Sequence, residues 1–380
     1  MNDLTPKIKP QVAQSLKKNI INQIKTNRKM RNNRIKKIMA AAAVVAVLVV
    51  FPIFFSIGNT AKAMNLLNES IAKTQNLSTM IIKFLVRTLP QDNFDYINLN
   101  ENFVEHTILK DFSAQIWRVE KPQIAAIFDG EKSLLWHKNI NELVVIEGEG
   151  GIFGELNRYL LEPQNLLQNA QILAKSKGAK VDFKENDTQI VLTIEAKAQG
   201  DFTNDYLKNS SVAESDNRQV YVFDKKTKLL QSFEIFILEN AKYVSVIKTE
   251  SITYNVPIDK NEILFLPKNL TQIVITDDIQ NSSMTNISAK EAAEKIFNAL
   301  HNKDLTPVKE SFQGYSENVL KMTNLWGLEV LEIGEPFKSG EYIGEFVPYK
   351  IKLSNGRVKQ HNLAIRNDNK NKVWVIDGGI

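Results

Sequence analysis

Residues 114–137 read AQIWRVEKPQIAAIFDGEKSLLWH, and this stretch sets what the chain can fold into. Three runs, Ala114 to Val119, Gln123 to Phe128 and Ser133 to His137, are rich in β-branched and aromatic residues. They are separated by Lys121-Pro122 and Asp129-Gly130. A proline closes a strand and Asp-Gly tolerates positive φ, so the stretch reads as three short strands joined by turns. Strand alternation sends Trp117 and Arg118 to opposite faces, so only one of them can line a cavity on a given face.

The same pattern continues on both sides. Met80 to Arg87 precedes it, and Leu143 to Ile146, Lys180 to Phe183, Gln189 to Ala196, Gln219 to Phe223, Leu229 to Leu238, Tyr243 to Tyr254 and Ile263 to Phe265 follow. Residues 151–176 read as helical with an interruption near Pro163, Ala63, Leu66, Leu67 and Ile71 mark a short helix, and polar residues 199–218 read as a loop. Helix, antiparallel meander, helical insertion and second meander predict an α+β domain over 62–275, a curved sheet with helices over one face. Residues 276–287 read as a linker. Ser288-Ala289-Lys290-Glu291 is then a capping box, with Ala292, Ala293, Ile296, Phe297 and Leu300 on the buried stripe of its helix. Val347, Tyr349, Ile351 and Leu353 alternate with polar positions, Asn355-Gly356 is a hairpin signal, and Val373 to Ile376 is a last strand. Residues 288–380 are therefore a second α+β domain with a twisted antiparallel sheet.

Upstream, residues 1–37 carry eleven Lys or Arg against Asp3 alone, in a chain of 380 residues whose net charge is +5. The rest of the chain is net acidic, which removes support for nucleic-acid binding by the main domains. Residues 38–57, IMAAAAVVAVLVVFPIFFSI, carry no charge, and twenty helical residues span roughly 30 Å, the thickness of a bilayer core. The basic block precedes this run, which places the N-terminus in the cytoplasm and the bulk of the chain outside it, on a bacterial inner membrane. Ala61-Lys62-Ala63 has the form of a signal-peptidase site, so a cleaved signal peptide is the alternative; the long leader and long apolar run favour a retained anchor. In the tail, Val12, Leu16, Ile20 and Ile24 recur every four residues and predict an amphipathic helix. It lies on anionic inner-leaflet lipid, or docks a cytoplasmic partner through residues 8–28. Cysteine is absent, which excludes disulfides, thiolate metal sites and nucleophilic thiols.

The segments Trp117 to Pro122, Ile127 to Trp136, and Val222-Phe223-Asp224-Lys225-Lys226-Thr227 resemble, in order and spacing, the LolA-like periplasmic lipoprotein carriers and the related RseB-like sensors of envelope stress. The resemblance covers residues 62–275. It implies a half-open barrel whose apolar cavity, closed by helices, holds a lipid or lipoprotein acyl chains, with residues 151–176 forming part of the lid. Phe84, Trp117 or Arg118, Phe128 and Trp136 are the cavity candidates. The soluble carriers lack the anchor, tail and second domain, so an anchored copy does not shuttle cargo. A regulator of the anti-sigma kind, its tail meeting a sigma factor, is the sharpest form of this reading. Residues 288–380 are similar to the nuclear transport factor two-like, cystatin-like cone, whose pocket Trp326, Trp374 and Asp377 would face.

Enzymatic chemistry finds little footing. His106, His137, His301 and His361 lie in separate elements without metal-ligand spacing, the glycines at 148–154 are followed by no Gly-Lys-Ser/Thr, and no nucleophile is paired with a base. No cofactor is expected. The functional expectation is a non-enzymatic, membrane-anchored envelope protein that binds an apolar ligand; an enzyme using the C-terminal pocket and a structural tether are the alternatives.

Overall fold

In the computed structural model, residues 56–380 are described, apart from 93, 95, 148–158, 200–210, 276–282 and 339–341. Five consecutive hairpins join β1 (Thr79–Arg87), β2 (Phe103–Asp111), β3 (Ile116–Glu120), β4 (Ile124–Phe128), β5 (Lys132–His137) and β6 (Glu142–Glu147). A second meander contains β7 (Lys180–Glu185), β8 (Gln189–Ala196), β9 (Asn217–Asp224), β10 (Leu230–Glu239) and β11 (Lys242–Tyr254). The meanders fuse where β1 pairs antiparallel with β11, from Met80 opposite Tyr254 to Val86 opposite Ile247. With β12 (Thr271–Val274) added parallel to β6, the result is one curved sheet of twelve strands. Bulges between Lys83 and Phe84 and between Ile235 and Phe236 fall on the central strands, where an extra residue bends the ladder and tightens its twist.

Two helices cover one face of this sheet. The first, α1 (Ser56–Thr74), and α2 (Pro163–Lys175) send Ala63, Leu66, Leu67, Leu166, Leu167, Ala170 and Leu173 into a single core with Met80, Ile82, Phe84 and Val86 of β1. Pro163 suits the first turn of α2, where its missing N–H is not needed. Between the helices, the Gln171 amide donates to Asn68 at 2.7 Å.

Two strand assignments need correction, and the expectations for the N-terminal segment fall outside the described residues. Strand β2 was not expected, and residues Ile263 to Phe265 are not a strand: Asp259 accepts from the Asn261 backbone N–H and starts the short helix α3 (Lys260–Ile263). Residues 1–37, with Val12, Leu16, Ile20 and Ile24, lie outside the described residues, as does the expected span 38–57 except for Ser56 and Ile57, which open α1. Among the described residues no helix is long and apolar enough to cross a membrane.

The C-terminal domain begins before the capping box, because Met284 from the expected linker is already buried in its core. Helix α4 (Ala289–Asn302) carries the capping box in full: Ser288 accepts from the Glu291 N–H while the Glu291 carboxylate accepts from the Ser288 N–H. Its apolar stripe packs on a four-stranded antiparallel meander, β13 (Glu329–Ile333), β14 (Glu345–Lys352), β15 (Val358–Arg366) and β16 (Val375–Gly378), with Phe297 and Tyr349 ring centroids 4.7 Å apart. The β14–β15 hairpin turns at Asn355-Gly356, where Gly356 has φ +86. A short helix, α5 (Glu317–Met322), lies between α4 and β13. One long helix against a meander is what the sequence predicted; the finer cystatin-like assignment has no support beyond that.

Candidate functional site

Strand register sorts the five expected cavity residues into two groups. On the helix-covered face, Phe84 of β1 lies opposite His106 of β2, Trp117 lies opposite Lys110 on one side and Phe128 on the other, and the Trp117 and Phe128 rings stack at 5.9 Å. Phe84 and Trp117 are fully buried and Phe128 is half-buried, all in the core that α1 and α2 close.

Arg118 and Trp136 face the other way. Arg118 pairs with Ile127 across the ladder, and Ala125 pairs with Trp136, which puts both on the outer face. There the Arg118 guanidinium lies 5.9 Å from the Trp136 ring and donates to the Phe265 carbonyl at 2.8 Å, while Phe265 meets Trp136 edge-on. Arg118 and Lys138 also pair with Glu120. Burial opposes charge on Glu120, but hydrogen bonds from Lys138 and Arg118 prevail and hold its carboxyl below the usual range. This cluster clamps the 259–265 segment onto the sheet. Trp136 and Arg118 are therefore no part of an inner cavity, because two-residue alternation carried through the β3–β4–β5 register leaves them no other face.

The inner face holds polar groups that the sequence reading did not single out. Lys110, in the unforeseen strand β2, is buried, and its ammonium meets the Glu162 carboxylate, immediately before α2, at 3.0 Å. Beside this pair lies a cavity of about 270 Å³ lined by Lys110, Phe112, Glu162 and Gln164 and by the turn after α1 at Thr74 and Leu77. His106 packs against Phe84 at 5.1 Å and Phe94 at 6.0 Å, and its Nε2 has no partner among the described residues.

A second, smaller space of about 30 Å³ separates the two domains, between Asp92, Tyr96 and His137 of one and Tyr315, Val319 and Lys359 of the other. It has room for a water and little more. Around it the contacts are polar: Ser316 and Asn318 donate to the Glu142 carboxylate, the latter at 2.7 Å, Arg357 pairs with Glu101, and Lys359 lies 5.0 Å from the Tyr96 ring. The expected C-terminal pocket residues do not converge: Trp374 is buried with its indole N–H on the Ile287 carbonyl, Trp326 packs on the domain core, and Asp377 pairs with Arg366. Among the described residues no three His, Asp or Glu side chains gather as a metal site.

Three histidines are held neutral. Burial first and the Lys121 charge second push His106 down to about 3; burial pushes His137 down to about 4, against the opposing charge of Glu142; burial and Lys359 push His361 down to about 4.

Fold and site together define a class: a curved antiparallel sheet whose apolar inner face is closed by two helices, one of them tethered by an ion pair beside a cavity. No family model and no curated protein matches the chain. Among solved structures it is similar to an uncharacterized conserved protein from Thermus thermophilus, at 9% identity and a TM-score of 0.33 over 56% of this chain and 99% of that one. It is similar to the Mycobacterium tuberculosis lipoprotein LppX, at 9% and 0.33 over 52% of this chain and 98% of the other. The Pseudomonas aeruginosa MucA/MucB complex matches at 9% and 0.33 over 83% of this chain and 92% of that chain. Similarity at this level does not carry a function across.

Two measurements follow. Trp117→Ala should lower stability by about 3–5 kcal/mol, as for a close-packed core ring, whereas Trp136→Ala, half-buried on the outer face, should cost less than half as much; urea midpoints of the two variants check the assignment. Because the native histidine pKa values lie below about 6.5, the unfolded chain binds more protons in that window and stability falls as pH falls from 6.5 toward 4. Each histidine contributes a slope of up to about 1.4 kcal/mol per pH unit. His106→Phe keeps the ring, removes the unpartnered nitrogen, and should flatten the urea-midpoint profile between pH 6.5 and 5 by about a third, with stability at pH 7 changed by no more than about 1 kcal/mol.

Proposed function

We propose that this chain is a non-enzymatic binding protein that acts outside the cytoplasm and holds an apolar ligand, a lipid or the acyl chains of a lipoprotein, between the inner face of the twelve-stranded sheet and helices α1 and α2. The observation that carries the reading is the construction of that face. Phe84, Trp117 and Phe128 belong to one apolar cluster with residues of α1 and α2, joined by Phe94 and Ile97 of the β1–β2 connection, and among the described residues no second sheet packs on that face. Two helices can lift from a sheet without breaking any strand pairing, so the surface becomes available at the cost of helix packing and of the Lys110–Glu162 ion pair.

The apolar run 38–57 anchors the molecule in an inner membrane, with the basic tail in the cytoplasm. In its sharpest form the chain is a transmembrane regulator of the anti-sigma type: ligand state outside is passed through one span to a helix at residues 8–28 that meets a sigma factor or the inner leaflet. The stripe of Val12, Leu16, Ile20 and Ile24 supports a docking helix there.

The test uses the purified full-length protein and a fatty acid carrying an anthroyloxy fluorophore. Saturable binding with energy transfer from tryptophan, displacement by palmitate or by a triacylated lipopeptide, and a roughly tenfold weaker affinity in Trp117→Ala are the expected results. Absence of saturable binding would reduce the inner face to a core and end the ligand reading.

A further inference from the structure

Lys110 sits where a purely apolar ligand has no use for it. It lies on the inner face of β2, directly across the ladder from Trp117, is 4% exposed, and has its ammonium 5.5 Å from the Phe112 ring. Its charge is met by Glu162 at 3.0 Å, and Glu162 comes not from the sheet but from the chain immediately before α2, the helix that must move if the inner face is to open. The Glu162 side chain makes no cap bond to its own helix, so its carboxylate serves Lys110.

The pair borders the cavity of about 270 Å³, which also presents Ser113, Gln115 and Gln164. That volume is below the roughly 300–1,000 Å³ of a site enclosing a whole drug-sized ligand, and its lining is polar, unlike the apolar core behind it. It has the size and chemistry of a head-group compartment at the rim of an apolar surface.

We infer that the ligand is an anionic amphiphile, whose apolar chain lies on the inner face beside Trp117 and Phe128 and whose single carboxylate or phosphate head takes the place of Glu162 on Lys110. This rests on the ligand-binding reading above and adds the ligand's charge to it. The closed protein holds its own stand-in for the head: a carboxylate already occupies the anion position. When α2 lifts it takes Glu162 away, and a buried ammonium without a partner is strongly disfavoured. A neutral chain leaves that ammonium unpaired, whereas an acidic head restores the pair, so ligand charge and helix displacement are coupled.

The probes are cis-parinaric acid, a fluorescent polyene fatty acid, and its methyl ester, each titrated into the full-length protein. The acid should bind about tenfold more tightly than the ester. Lys110→Met should abolish that preference, chiefly by raising ester affinity because no ammonium is then left unpaired, and Glu162→Gln, whose closed form has no ion pair to lose, should strengthen binding of both probes several-fold while keeping the preference for the acid. Inorganic phosphate should not displace the acid. Equal binding of acid and ester by the wild type overturns the inference while leaving apolar binding intact; binding of neither removes both readings. Displacement of the acid by phosphate alone also overturns it, in favour of a site for a free anion. If Lys110→Met does not fold, Glu162→Gln decides, since unchanged affinity for the acid in that variant overturns the proposal.

Discussion

Everything in the large domain depends on the antiparallel pairing of β1 with β11, strands whose opposed residues, such as Met80 and Tyr254, come from the two ends of the domain sequence. Without it the chain would hold two separate meanders, with β1 and β11 as two further bare edges. With it, β1 becomes an interior strand between β2 and β11, and its inner residues Met80, Ile82, Phe84 and Val86 are all buried. A contact of such sequence separation closes a long loop, and the ladder and core it creates must offset that ordering entropy.

The pairing also dictates where the helices go. Strands β6 and β7 are consecutive in sequence, yet the fused sheet puts them near opposite edges. The connection between them must therefore traverse a face, and α2 is the part of it that carries leucines toward the core. Helix α1 runs directly into β1 and falls on the same face, so two segments distant in sequence become one cover. The outer face, by contrast, is served by the 259–265 segment and its clamp of Arg118, Trp136 and Glu120.

Much of this was legible in the sequence. Strand alternation is strong where both faces obey it, as in β8, whose Ile190, Leu192, Ile194 and Ala196 are all buried, and the meander, insertion, meander order followed from such segments. The strand that escaped notice, β2, did so because His106 and Lys110 occupy its inner positions and interrupt the apolar alternation. Those two buried polar residues also set the inner face apart from a uniformly apolar core. Trp136 was placed wrongly for a different reason. Its face depends on the register of three successive strands, which no single-strand pattern contains. In the C-terminal domain the capping box and the Asn-Gly hairpin were read directly, because each is decided by neighbours within a few residues.

If the two helices are a movable cover over a fixed sheet, their stability must be separable from that of the strands beneath them. Native-state amide hydrogen exchange on the full-length protein, with and without palmitate, measures this residue by residue. The expected result is that α2 amides between Leu166 and Lys175 exchange through an opening well below the global unfolding free energy, that β1 and β11 amides exchange only by global unfolding, and that palmitate changes the helix protection while leaving the strands unaltered. Exchange of α2 together with β1 in one cooperative event, insensitive to palmitate, would contradict a movable cover and leave the inner face as a permanently closed core.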